Sequence, residues 1–290
     1  MIKCNDIHLT LGNHTILRGI SCHIEAGAVT ALIGPNGSGK SSLLSVLSGL
    51  QSATQGSCLL DVKQDKTPRN YSEMSRAEFA QHIALLPQRN PVPASLTVGD
   101  LVAFGRHPHR PWYRNLSQHD KKLIDWAMTE TGIMQYQNRP LTQLSGGELQ
   151  RCWLAMVLAQ DTPILMLDEP TSWLDVAHQI SLLEIVRRLN KHHNKTVVWV
   201  LHDLNQASAF SDNAILLQEG QVVAAGTCSN VINADIISNV YDTQLAAHQI
   251  NGNTVLWPTY AAQQDLLQQN NPDINAPSQQ QMHDMEHTHA

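Results

Sequence analysis

Residues Gly34 to Ser41 read GPNGSGKS and match the pattern G-x-x-x-x-G-K-[ST]. Residue types at this spacing suit phosphate chemistry. Successive backbone amides of Gly34, Pro35, Asn36, Gly37, Ser38 and Gly39 form a loop that cradles an anion, with proline contributing no donor. Lys40 sets a cation against the β- and γ-phosphates of a nucleotide, and the hydroxyl of Ser41 ligates Mg²⁺. Ser42 extends the same run of amides. An ordinary glycine-rich turn would account for the glycines but not for the setting this motif needs.

Carboxylates follow in ILMLDEP, where a strand buried on both faces delivers Asp168 to the carboxyl edge of a sheet. There Asp168 can hold Mg²⁺ through water, and Glu169 can act as general base toward an attacking water. Acidic residues that end a strand are often only turn formers, so the reading depends on the company of the loop. Gln88, at the end of LPQ, can reach a metal-bound water through its amide, and His202, in VLHD, can touch a γ-phosphate. A solitary Gln or His at a strand end is more often structural, and these two gain meaning only together with the rest.

A second glycine-rich stretch, TQLSGGELQRCWLAMVLAQ, begins about a hundred residues after the first. Ser145 is a good N-cap, and Gly146 and Gly147 let backbone approach an anion closely. The helix beyond carries Leu149, Trp153, Met156 and Val157 on one face. Taken alone it is a helix entry.

The elements that must position these residues are short apolar runs alternating with helical patterns, which predicts an α/β fold with parallel strands and crossover helices. AVTALI (Ala28 to Ile33) is the strand before the loop and KSSLLSVLSGL (Lys40 to Leu50) the helix after it. ILML and TVVWVL supply two more buried strands. From about residue 90 to 160 the pattern predicts a mostly helical inserted subdomain, with helices around Val98 to Phe104 and Ser117 to Gly132. RHPHRPWYRN, from Arg106 to Asn115, is expected as its surface loop.

The chain has 290 residues, 42% of them hydrophobic and 15% charged, with a net charge of −6, so it can build a core but advertises no nucleic-acid groove. Cys4, Cys22, Cys58, Cys152 and Cys228 are scattered without a C-x-x-C pair, which predicts reduced thiols rather than a disulfide framework or a zinc site. No signal-peptide core opens the chain and no apolar run nears the roughly 18 residues of a spanning helix. Residues 246–261 read as a short extension. The Gln-, Asn- and His-rich residues 262–290 read as a disordered tail whose histidines lack the fixed geometry a metal site needs.

In their order, GPNGSGKS, Gln88, LSGGE, ILMLDEP, SWLD (Ser172 to Asp175) and His202 resemble the ATP-binding cassette family over roughly residues 1–245. The resemblance implies a P-loop NTPase core with a mostly parallel sheet, an inserted helical subdomain and a short antiparallel N-terminal β region. It also implies ATP and Mg²⁺ as ligands, hydrolysis by Glu169 with His202, and Asp175 as a further nucleotide-site residue. Family members pair head to tail, so Ser145, Gly146 and Gly147 would close over ATP held by a second copy. The variant Glu148 stands where the family usually has Gln, and Leu11 stands where members usually stack an aromatic on adenine, leaving Leu11 or nearby His14 as substitutes.

GRHPHRPW, AMTETGI and VLHDLNQAS further resemble ATPase subunits of bacterial ferric-siderophore importers, a group with relatives for haem and cobalamin. This resemblance implies a peripheral protein on the cytoplasmic face of the bacterial inner membrane. It would be bound to integral permease subunits and served indirectly by a periplasmic or surface binding protein, with no nucleic-acid partner. Cassette proteins of DNA repair carry a long coiled coil for which the span from Gln88 to Ser145 has no room, and those of translation carry two cassettes per chain. A P-loop kinase would not need LSGGE.

Overall fold

The computed structural model describes residues 1–61, 67–88, 91–92, 94–110, 113–250 and 253–259. Two sheets face each other across one helix. The first is antiparallel, in the order β2-β1-β4-β5, and contains β1 (Ile2–Leu11), β2 (His14–Ile24), β4 (Gln55–Leu60) and β5 (Arg69–Asn70). The second has the order β10-β9-β3-β8-β7-β6. It is built from β3 (Val29–Ile33), β6 (Ile83–Leu86), β7 (Ile164–Asp168), β8 (Thr196–Val200), β9 (Asn213–Gln218) and β10 (Gln221–Thr227). Only the edge strand β10 runs antiparallel to its neighbour; the other five are parallel.

The apolar runs VTALI and TVVWV are buried along their whole length because helices or the first sheet cover both faces. Successive side chains therefore serve two cores. Val197 and Trp199 point into one cluster, which they share with Trp153, Leu158 and Leu183. Val198 and Val200 point into the other, with Leu43, Leu44 and Leu47 of α1 (Lys40–Leu47) and with Ile2, Ile7 and Ile20 of the antiparallel sheet. The helix that follows the phosphate loop is thus clamped between two sheets.

The middle of the chain holds α2 (Arg76–His82), α3 (Val98–Phe104), α4 (Gln118–Glu130) and α5 (Gly146–Ala159), and the last three pack together. The expected surface loop from Arg106 to Asn115 is exposed at His107, His109, Tyr113, Arg114 and Asn115, and Arg106 alone among its described residues is buried. Arg106 donates from Nε to Asp120 Oδ1 at 2.8 Å and from Nη1 to the Ala159 carbonyl at 2.8 Å, and so ties the three helices together. Asp120 also closes the capping box of α4, which, together with Arg106, pulls its carboxyl down to about 2 against the opposing effect of burial.

After β7 come α6 (Val176–His193) and α7 (Leu204–Phe210), then α8 (Cys228–Val231) and α9 (Ala234–Tyr241). The expected extension forms a hairpin of β11 (Leu245–Ile250) and β12 (Asn253–Pro258) that leans on α7. There the Asn205 side chain accepts from the Leu256 amide at 2.8 Å and donates to its carbonyl at 3.3 Å. The tail expected over 262–290 lies outside the described residues.

The cysteine expectation needs a correction. Cys4 on β1 and Cys58 on β4 are direct cross-strand partners and form a disulfide, while Cys22, Cys152 and Cys228 are buried thiols. Residues 54 positions apart meet only through strand register, so no local spacing announces the pair.

Candidate nucleotide site

The carboxyl ends of β3, β6, β7 and β8 lie side by side, since Leu86 is level with Leu167 and Asp168 with Val200. This register gathers at one sheet edge the phosphate loop, Gln88, Asp168 with Glu169, and His202, the crevice where open α/β folds bind ligands.

Gly34, Gly37 and Gly39 all have positive φ, at 144°, 78° and 99°, a conformation that side chains resist. A Cβ on Gly34 would also sit 2.1 Å from the Leu217 carbonyl oxygen. The loop is held from outside as well, because the Gly34 amide donates to the Tyr241 hydroxyl at 3.0 Å and the Gly220 amide to the Ser38 carbonyl at 3.1 Å. Pro35 is half-buried, whereas Asn36 and Gly37 are exposed.

Lys40 is 5% exposed and folds back over the loop, donating to the carbonyls of Gly34 and Pro35 at 2.8 Å each. Burial lowers its pKa, and the charges of Glu169 and Asp168 partly restore it. Each of α2 to α7, and α9, begins with a side chain that accepts from its first amides, but α1 does not: Gly39 offers none and its first turn has no acidic residue. The first amides of α1, at Lys40, Ser41 and Ser42, have no intrahelical acceptor. Ser38 Oγ is buried with no hydrogen-bond partner among the described residues. Uncapped amides, an orphaned hydroxyl and a buried cation together fit a bound phosphate chain.

Ser41 Oγ donates to Asp168 Oδ1 at 2.9 Å, joining the loop to the carboxylate strand. Burial raises the Asp168 pKa, reinforced by the nearby Glu169 charge and opposed by Ser41, His202 and Lys40. Glu169 takes a positive φ of 49°, a strained placement of the kind found at functional sites. Burial by itself would raise its carboxyl, yet hydrogen bonds from His202, Ser172 and Gln88 and the His202 charge outweigh burial and hold it low. His202 Nε2 lies 2.7 Å from Glu169 Oε1, while Ser172 Oγ at 3.0 Å and Gln88 Nε2 at 2.5 Å donate to Oε2. Ser172 and Tyr241 were not singled out by sequence reasoning. Ser172 sits inside the SWLD motif, but nothing local marks Tyr241, which comes from a helix over two hundred residues away.

No all-protein cage of three or more His, Cys, Asp or Glu side chains exists among the described residues. Mg²⁺ needs none, since it keeps waters and binds through one or two protein ligands plus phosphate oxygens. A hydroxyl beside a carboxylate, Ser41 with Asp168, is a donor set of that kind.

Four expected site residues stand apart from this cluster. Ser145 and Gly146 are exposed at the start of α5, and Gly147 is buried beneath them. Ser145 accepts from the Glu148 amide while its own amide and hydroxyl donate to Glu148 Oε2 at 2.8 and 2.9 Å. Asp175 caps α6 and receives His178. Among the described residues no hydrogen bond links any of the four to the phosphate loop. Leu11 is 46% exposed and pairs across the β1–β2 turn with exposed His14.

Comparison with known proteins identifies the family. The family model described as ABC transporter matches residues 17–172. The iron(3+)-hydroxamate import ATP-binding protein of Bacillus subtilis (strain 168) is 41% identical over 240 residues, covering 83% of this chain and 87% of that protein. The ferric enterobactin transport ATP-binding protein of Escherichia coli (strain K12) is 40% identical, covering 83% and 86%. The dimeric structure of a bacterial ABC transporter cassette superposes with a TM-score of 0.68 at 26% identity, covering 79% of this chain and 99% of that one. A family match over more than half of the chain, with relatives alike over more than four fifths of it, places this chain in the ABC transporter family as an ATP-hydrolysing, ATP-binding subunit.

Proposed function

We propose that the chain powers import of a ferric siderophore by hydrolysing MgATP at a site shared between two copies. The observation that carries the shared site is the contrast between the two glycine-rich helix starts. The phosphate loop has cation, amides and carboxylates in place, whereas Ser145 and Gly146 face outward with no link to it.

When bound, Mg²⁺ would be held by Ser41 and, through water, by Asp168, and would neutralise charge building on the phosphates. Lys40 would leave the Gly34 and Pro35 carbonyls for the β- and γ-phosphates. Glu169 keeps its proton off, so it can polarise the attacking water, and His202 fixes the direction of its carboxylate. Gln88, which donates to Glu169 here, would be within the set of side chains able to hydrogen-bond the water shell of a bound Mg²⁺. Ser145 of the second copy would complete the γ-phosphate contacts.

No helix among the described residues is long and apolar enough to cross a membrane. On this reading, supported by relatives described as import and transport ATP-binding proteins, separate permease subunits carry out the membrane step, with this chain at their cytoplasmic face and a binding protein delivering the chelate. Cargo follows from the relatives, whose names assign them to iron–hydroxamate and enterobactin transport. Uptake of radiolabelled ferric hydroxamate, ferric catecholate, haem and cobalamin in a strain lacking this gene tests it. Loss of a ferric chelate alone, restored by the parent chain and not by Lys40→Ala, is expected; loss of haem or cobalamin uptake instead would overturn the cargo.

A further inference from the structure

The two glycines of the Ser145 turn are glycine for different reasons. A Cβ added to Gly146 would meet nothing within 4 Å. A Cβ added to Gly147 would lie 2.2 Å from His178 Cδ2, 2.7 Å from its Cγ and 2.8 Å from its Nε2. Gly147 has no positive φ, so its backbone does not demand glycine. The imidazole of His178 does, because it occupies the place a side chain would take.

The ring is held there by the other end of the same segment. His178 Nδ1 lies 2.7 Å from Asp175 Oδ1, and the same oxygen accepts the His178 amide at 2.9 Å. Asp175 closes a tightly wound loop that begins at Glu169. In that loop the Ser172 amide donates to the Glu169 carbonyl at 3.1 Å and the Ser172 hydroxyl to the Glu169 carboxylate at 3.0 Å. Two of its non-glycine residues, Glu169 and Trp173, have positive φ, and Trp173 is 88% exposed. Such a loop stores strain and persists only where its surroundings over-determine it. A second tie runs beside the first, with Gln150 Nε2 of α5 donating to the Pro170 carbonyl at 3.0 Å. The helix start that carries Ser145 is therefore fastened to the loop that carries Glu169.

We propose that His178 is a positioning residue that couples the two nucleotide sites of the dimer. Through Gly147 it sets the Ser145 face offered to the partner's nucleotide, and through Asp175 it sets the loop that aims its own chain's Glu169 at its own nucleotide. This rests on the shared-site reading given above. Closure on one nucleotide moves α5, the ring moves with Gly147, and the strained loop at the other nucleotide shifts with it. That arrangement gives each site a physical reason to register the state of the other.

The test uses the full chain, with ATP hydrolysis measured against ATP concentration, ATP binding to the isolated subunit, and melting temperature as a check on folding. Gly147→Ala should cut hydrolysis by about ten-fold or more while the isolated subunit still binds ATP, and adding His178→Ala should raise it to the level of His178→Ala alone, since contacting residues couple in this range. His178→Ala alone should keep ATP binding, lower turnover and flatten the ATP dependence toward a Hill coefficient of about 1. His178→Asn, whose amide can still donate to Asp175, should bring the cooperativity back. A double variant as inactive as Gly147→Ala, with both folded, would mean that the nucleotide itself requires that glycine, and the proposal fails. It fails as well if His178→Ala leaves rate and cooperativity unchanged. The shared-site reading fails separately, if Ser145→Arg abolishes ATP binding to the isolated subunit.

Discussion

Helices α1 and α5 both start in glycine-rich sequence, yet their amino ends are finished in opposite ways. At α1 the N-cap is Gly39 at a φ of 99°, no side chain reaches the first amides, and a buried lysine folds over them. At α5 the N-cap is Ser145 in extended conformation, and a full capping box with Glu148 closes the turn. Leaving helix amides without partners is costly unless an anion takes them. The open end therefore suits an anion held within its own chain. The closed end is a complete helix start, and its Ser145 and Gly146 are exposed.

The largest effect should fall on chemistry at the open end. Glu169→Gln keeps the shape of the side chain but exchanges one accepting oxygen for a donating amide and cannot take up a proton, so hydrolysis should slow by about 10² to 10⁴-fold, or about 3 to 5.5 kcal/mol of barrier. ATP and Mg²⁺ binding should persist, and ATP should accumulate in a closed dimer. Parent-rate hydrolysis in a phosphate-release assay would remove Glu169 from its role.

Next in size is binding at that end. Lys40→Ala removes the one buried cation of the loop, and ATP affinity should fall by about 10²-fold, in line with a charge-assisted contact of about 1.5 to 3 kcal/mol. A fluorescence titration showing unchanged affinity would mean that the amides of α1 suffice without it.

The closed end gives the sharper break between the two. Ser145→Arg places bulk and charge where a second copy's γ-phosphate would come, yet leaves the variant's own loop untouched. Binding to the isolated subunit should stay within about two-fold, while hydrolysis and ATP-driven dimerisation drop by at least about ten-fold, more than 1.4 kcal/mol. Equal loss of binding and hydrolysis would erase the distinction between the two helix starts.

The same contrast explains what was legible in the sequence. The open end was readable because everything it needs is local: GPNGSGKS, a buried strand before it and a helix after it. Asp168 and Glu169 were readable for the same reason, as the end of an apolar strand. Gln88 and His202 were weak by themselves, and only the parallel register that levels Leu86 with Leu167 and Asp168 with Val200 gives them company. Packing between distant segments carried no local mark. Neither the His178 ring filling the side-chain space of Gly147, nor the Cys4–Cys58 pair, nor Arg106 buried on Asp120 could be inferred from spacing, because each depends on how separate elements dock.

The smallest effect tests the closed end as a pure helix start. Glu148→Ala removes the carboxylate that accepts from the Ser145 amide and hydroxyl but leaves the Ser145 hydroxyl to cap the backbone amide of residue 148, so it should cost about 0.3 to 1 kcal/mol of stability. Those bonds, led by the one from the Ser145 amide, with Tyr136 and the charge of Arg139 adding to them, pull the Glu148 carboxyl from 4.5 down to about 2. A carboxyl depressed by folding contributes stability that is present above its unfolded value and is lost as pH falls toward its folded value. The gap in melting temperature between parent and Glu148→Ala should therefore be constant near neutral pH, narrow below 4.5 and close near 2. ATP binding to the isolated subunit should not change at pH 7, because the cap belongs to α5 and not to the phosphate loop. A gap that stays constant down to pH 2 would show that Glu148 stabilises the turn by packing alone, and a loss of ATP binding would show that the two helix starts are not independent within one chain.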